Sequence, residues 1–273
     1  MQRRLFSTLA LATLALSAIF ASPPADAQQP QRIGVLMLHG KNPGSAQDPS
    51  FAPLKTTLQR EGWLVTLPDM PWSRFRYIDG HWDKAMAEIG GHIKTLRDNG
   101  ATKIVVVGHS IGVPAALSHA ARGGDVQALV LLAPGHVPKN YYNVPFMKVV
   151  RDSVDEARAH VAAGNGDTTG RFNDINQGRP LQVTTSAKNF LSYFDPVSDA
   201  EMGVTAPRVP ATTPVMTAIG QNDSLFPYIR AYYVDKLPAN PKNKYLEVGG
   251  GHTDTPRMAS DEIIQWIKTA VAE

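Results

Sequence analysis

The stretch from Lys103 to Ala121 constrains this chain more than any other. Ile104 to Val107 are β-branched and apolar without a break, which reads as a strand buried on both faces. The small residues from Gly112 to Ala121 read as a helix packed closely on a sheet. Between them stands Gly108-His109-Ser110-Ile111-Gly112. So short a turn from strand to helix leaves no room for side chains at its two glycines and thrusts the residue at its tip clear of the sheet. That residue is Ser110. A dinucleotide-binding turn would share the strand and the helix, but it needs glycine where Ser110 stands, because backbone approaches phosphate there. The stretch predicts a nucleophile rather than a phosphate cradle.

Around it the chain alternates. Buried-strand runs fall at Arg32 to Leu38, Leu64 to Leu67, Lys103 to Ser110, Val126 to Ala133, Val215 to Ile219 and Lys244 to Val248. Helical spacing falls between them: from Ser50, placed as an N-cap, through Gln59; from Trp82 to Arg97; near Tyr228 to Lys236; and from about Asp261 to Ala272. Six strands alternating with helices predict an α/β fold, with a mostly parallel six-stranded sheet covered on both faces and ligands at the carboxyl ends of the strands. A chain of 273 residues, 43% of them hydrophobic, is long enough for one such core.

Two loops on that rim carry the partners a serine needs. After the fifth strand the chain reads Gly220-Gln221-Asn222-Asp223, and after the sixth Gly249-Gly250-Gly251-His252. A hydroxyl is a poor nucleophile at neutral pH. It needs an imidazole as base, and a carboxylate that holds the imidazole in the right tautomer. Ser110, Asp223 and His252 follow the order Ser, Asp, His. Asp254 is a weaker candidate for the acid, lying only two residues beyond His252, and Asp199 reads as a cap or loop residue.

From Ile33 to the terminal helix the chain resembles the serine hydrolases of the α/β-hydrolase superfamily, of the esterase and lipase type. The resemblance rests on His39-Gly40 after the first strand, Gly108-His109-Ser110-Ile111-Gly112, Gly220 with Asp223, and Gly251-His252. It implies the α/β-hydrolase fold and an oxyanion hole from the backbone N–H of Ile111 and of Lys41, the residue after the His-Gly pair. It also implies cleavage of an ester or related acyl bond in a small-molecule substrate without a cofactor. The short antiparallel strands that open larger members are missing. His39 and His109 are expected to structure their loops rather than react.

Residues 139 to 209 separate the fourth and fifth strands, and a connection of that length should carry structure of its own. Phe146 to Ala162 reads as a helix with Phe146, Val149, Val150 and Val154 on one side, and Phe190 to Phe194 forms a second apolar cluster. Such an insert is expected to cap the site, with Phe146 and Phe190 in the acyl pocket. The cluster Trp72 to Tyr77, in which Arg74 and Arg76 stand among aromatic faces, could dock an acidic or aromatic substrate group, with Trp72 a further candidate for substrate contact; otherwise that cluster is a solvated loop held by its aromatics.

The start Met1-Gln2-Arg3-Arg4, the Leu/Ala run from Leu5 to Ala21 and the end Ala25-Asp26-Ala27 predict a signal peptide over residues 1–27, leaving a single domain over 28–273. The run is too short and too often broken by Ser and Thr for a lasting membrane anchor. Without cysteine there is neither a disulfide framework nor a lipid-bearing amino terminus, so the product is expected in the periplasm or outside the cell. A formal charge of +3 is no nucleic-acid footprint, and the eight histidines show no metal-ligand spacing, so no metal is expected. An acyltransferase using the same residues, or a binding protein that has lost turnover, would share this sequence pattern.

Overall fold

The computed structural model describes residues 32–41, 43–176 and 178–272; the leader expected over residues 1–27 lies outside them. The six strands form one sheet: β1 (Ile33–Leu38), β2 (Leu64–Thr66), β3 (Lys103–Ser110), β4 (Ala128–Pro134), and, later in the chain, β7 (Val215–Gly220) and β8 (Lys244–Val248). Their order is β2-β1-β3-β4-β7-β8, and every pairing is parallel. Side chains alternate between two faces as the pleat requires. Leu36, Leu38, Ile104 and Val106 join one buried cluster, while Val35, Met37, Val105 and Val107 join the other. The first face is covered by α2 (Trp82–Asp98) and α3 (Gly112–Ala121), the second by α1 (Ala52–Arg60) and the terminal helix (Ser260–Ala270). Burial on both faces is why these strands read as unbroken apolar runs.

The chain leaves β1 toward β2 and then returns to the other side of β1 as β3, so the strand order reverses there. Loops after strands on either side of such a reversal diverge and leave a crevice. Here the crevice lies between the loop after β1 and the turn after β3, and Leu38 stands beside Gly108 across it.

Two helix starts differ from the sequence expectation. Ser50 does not cap α1: its hydroxyl and its N–H both turn back to Asp48 Oδ1, at 2.6 and 2.9 Å, and the helix starts at Ala52. Asp48 has captured the local hydrogen bonds. In the insert, Pro145 sets a 3₁₀ turn over Pro145–Met147, so α5 (Lys148–Ala162) begins two residues later than predicted. Its buried side is Val150, Ser153, Val154 and Ala157, which leaves Phe146 77% exposed and Val149 42% exposed.

The insert also holds a hairpin that the sequence did not announce: β5 (Thr169–Asn176) and β6 (Arg179–Ser186), antiparallel. The hairpin, α4 (Pro138–Asn143), α5 and α6 (Ala187–Phe194) pack around stacked aromatic rings. Phe172, Phe190 and Phe194 lie with centroids 4.7 and 4.4 Å apart. Phe190 is fully buried in the middle of that stack. Phe190→Ala should therefore lower unfolding free energy by about 3–5 kcal/mol, the usual cost of emptying a phenylalanine site, as read by urea denaturation. A loss below about 1 kcal/mol would mean that the stack does not hold the insert.

Candidate active site

Ser110 sits at the end of β3 with φ +56°, a left-handed conformation uncommon for a residue with a side chain. Both flanking glycines are required by space. A Cβ at Gly108 would lie 2.3 Å from the Gly112 carbonyl oxygen, and one at Gly112 would lie 2.1 Å from that of Leu38. Sheet, turn and helix are thus pressed together until only the tip residue projects.

Asp223 follows β7 in a turn whose first bond runs from its N–H to the Gly220 carbonyl, 2.9 Å. Its Oδ1 accepts from the Leu225 N–H at 2.8 Å, which leaves Oδ2 to face His252 Nδ1 at 2.7 Å. An ionised carboxylate only accepts, so His252 carries its proton on Nδ1 and presents Nε2 as a bare base. Ser110 and His252 meet over Gly135, where a Cβ would lie 2.6 Å from Ser110 Oγ and 3.4 Å from His252 Cε1. Ser110 Oγ makes no hydrogen bond to His252 among the described residues; such bonds are often long before substrate arrives. Asp254, the weaker acid candidate, instead accepts from the Gly251 N–H at 2.9 Å and lies 3.6 Å from Arg257. Asp199 is tied to Arg122 and Arg208 at the surface.

The histidines beside the site are fixed by their partners. His39 Nε2 accepts from the Met70 N–H at 3.0 Å, so Nδ1 carries the proton and donates to the Gly40 carbonyl at 2.6 Å. Carbonyl and N–H of a trans peptide point opposite ways, so pinning the Gly40 oxygen also sets the direction of the Lys41 N–H. Neither that N–H nor the one of Ile111 meets a protein acceptor among the described residues. His109 Nε2 lies 3.1 Å from the His252 carbonyl oxygen, to which it donates, and its ring stacks on Phe51. Burial, with His252 nearby, pushes the His109 pKa down to about 4. Burial and the Lys41 charge push His136, whose Nε2 donates to the Tyr193 carbonyl at 2.7 Å, down to about 3.

These two shifts carry a stability prediction. In the unfolded chain both rings take up a proton below about pH 6.5, while in the fold they refuse it down to about pH 4 and about pH 3. The unfolded state then binds more protons, so stability is complete above that range and falls as the solution is acidified through it. Each ring contributes a slope of about 1.4 kcal/mol per pH unit. Urea unfolding between pH 7 and 4.5 should show the decline, and His109→Gln, which keeps a donor for the His252 carbonyl, should make it shallower. An unchanged slope in that variant would mean that His109 is charged in the fold.

A cavity of about 830 Å³ opens over Ser110 and His252. The insert supplies Tyr141, Met147 and Ile175 to its wall, and Leu225 follows the acid loop into it. None of the three substrate contacts expected from sequence lines it. Phe146 points to solvent and Phe190 lies within the ring stack. Trp72 is buried beneath the loop after β1, where its Nε1–H donates to the His39 carbonyl at 2.8 Å. From the Trp72 to Tyr77 cluster it is Arg74 that reaches the cavity. Among the described residues no group of three or more His, Asp or Glu is placed to hold a metal ion.

No protein-family model matches the chain, and no curated protein does either. Solved structures do. One, from work on the metagenome-derived lipolytic enzymes LipS and LipT, shares 17% identity over 88% of this chain and 94% of that one, with a TM-score of 0.61. A monoacylglycerol lipase from Paleococcus ferrophilus shares 19% over 87% and 94%, with a TM-score of 0.61. The fold is that of the α/β-hydrolases. The siderophore hydrolase EstB from Aspergillus fumigatus shares 14% identity over 91% of this chain and 94% of that one, with a TM-score of 0.62. In such folds activity is argued from the site, since one scaffold hosts many chemistries.

Proposed function

We propose that this α/β-hydrolase is an exported serine hydrolase that cleaves a carboxylic ester or related acyl bond. The observation that carries the reading is the 2.7 Å bond from His252 Nδ1 to Asp223, with Ser110 beside the same imidazole at a strained, projecting backbone. Ser110 Oγ attacks the acyl carbon while His252 Nε2 takes its proton. The carbonyl oxygen becomes an anion held by the N–H groups of Ile111 and Lys41, each worth about 3–4 kcal/mol in such sites. Collapse expels the alcohol, which leaves with the proton from His252. Water then attacks the acyl-enzyme by the same route in reverse and restores Ser110. The mature chain begins at Gln28, after Ala25-Asp26-Ala27, and residues 139–209 cap the site. The related structures point the same way, being lipolytic enzymes and hydrolases by name.

Labelling of the purified protein with a fluorophosphonate, alongside turnover of aryl esters graded by acyl length, tests the reading. Label on Ser110 and saturable hydrolysis are expected. A protein that takes no label and turns over no ester is a binding protein on this fold.

A further inference from the structure

The Lys41 side chain plays no part in the chemistry above, yet it is buried within the cavity wall. Its Nζ lies 2.9 and 2.7 Å from the two oxygens of Asp174, on β5 of the insert, and 3.3 Å from the Ile175 carbonyl. Asp174 is fully buried, and the hydroxyl of Tyr77 donates to the same carboxylate. Burial by itself disfavours the ammonium, but Asp174, helped by Tyr141, outweighs it and holds the Lys41 pKa above the ordinary lysine value. An ammonium has three donors, and here all three are engaged, so none is left for a substrate. A buried ion pair is also a poor source of stability, because desolvation offsets most of the attraction. Its location offers another role. One carboxylate joins the loop after β1, the Trp72 to Tyr77 loop and the insert, three segments far apart in sequence.

Lys41 is then held on every side. The carbonyl of the Gly40–Lys41 peptide is pinned by His39, its own carbonyl accepts from the Gly44 N–H at 2.9 Å, and its side chain is fastened to the insert hairpin. We propose that Lys41 is a positioning residue whose clamp on Asp174 sets its own backbone N–H for the oxyanion, so that the oxyanion hole is complete only while the insert hairpin is seated. The inference rests on the serine hydrolase reading.

The test compares wild type with Lys41→Met, Asp174→Asn and the double variant Lys41→Met/Asp174→Leu on the aryl ester panel, each rate divided by the number of sites labelled to completion by fluorophosphonate. Misplacing an oxyanion donor by about 1 Å costs on the order of 100-fold in rate. Each single variant should therefore lose about that much kcat per labelled site with KM within about threefold, and the double should be no slower than the worse single. The double removes both charges and fills their space with apolar atoms, so it avoids the lone buried charge that either single leaves, and only the Tyr77 hydroxyl must find another acceptor. Wild-type kcat per labelled site in the double variant overturns the clamp while leaving the hydrolase intact, as does a loss confined to the number of labelled sites. A wild type that neither labels nor turns over overturns the hydrolase reading and the clamp with it.

Discussion

Replacing Ser110 with alanine should lower kcat by about a millionfold and abolish fluorophosphonate labelling. The residual rate would come from substrate binding and from the N–H groups of Ile111 and Lys41, which remain able to hold an anion while water attacks unaided. Alanine and serine are similarly strained at φ +56°, so the turn should survive and the loss should be chemical. Thermal unfolding of the variant checks that point, and stopped assays with milligram amounts of pure protein reach the required sensitivity. A residual activity above a few per cent would remove Ser110 from the role.

Asp223→Asn should cost about ten-thousandfold in kcat, and the hydrogen bonds around it say why. The Leu225 N–H donates to Oδ1 at 2.8 Å, so an asparagine must keep its oxygen there and turn its amide nitrogen toward His252. That nitrogen donates. His252 Nδ1 becomes an acceptor, its proton moves to Nε2, and the base facing Ser110 is blocked by its own hydrogen. Because both groups serve one proton transfer, Ser110→Ala/Asp223→Asn should be no slower than Ser110→Ala alone. A single Asp223→Asn variant that kept a tenth of the wild-type rate would show that the carboxylate does not set the tautomer.

Much of this was legible because the signals are local. The run Ile104 to Val107 and the spacing Gly108-Ser110-Gly112 need only short-range sterics, and the structure places a buried strand, a strained tip and a tight helix start there. Asp223 and His252 could be singled out because each follows a recognisable strand, and parallel strands send their loops to one rim. The lining of the cavity was not legible. Phe146 and Phe190 were expected in the pocket on hydrophobicity alone, but Pro145 turns the first outward and the Phe172–Phe194 stack absorbs the second. The β5–β6 hairpin escaped notice because Asn173, Asp174 and Asn176 break any apolar run; Phe172 with Ile175 gives no alternation either. Asp174 is buried opposite Lys41, 133 residues away in the chain, and such a contact leaves no trace in local pattern. Ser50 failed as a cap for the opposite reason: the competing group, Asp48, was adjacent.

Left-handed backbone at residues other than glycine is confined, among the described residues, to Ile78, Ser110, Ala133 and His136, and the last three gather at the ends of β3 and β4. Each such position costs on the order of 1–3 kcal/mol, held in place by the surrounding sheet. Breeding this protein for heat resistance alone would find its easiest gains there: glycine at 110 or 133 relaxes the chain at once. At 110 the gain would come with loss of the hydroxyl proposed as nucleophile. Endurance and the proposed turnover thus meet at residue 110, and a screen that rewards only the first will select against the second.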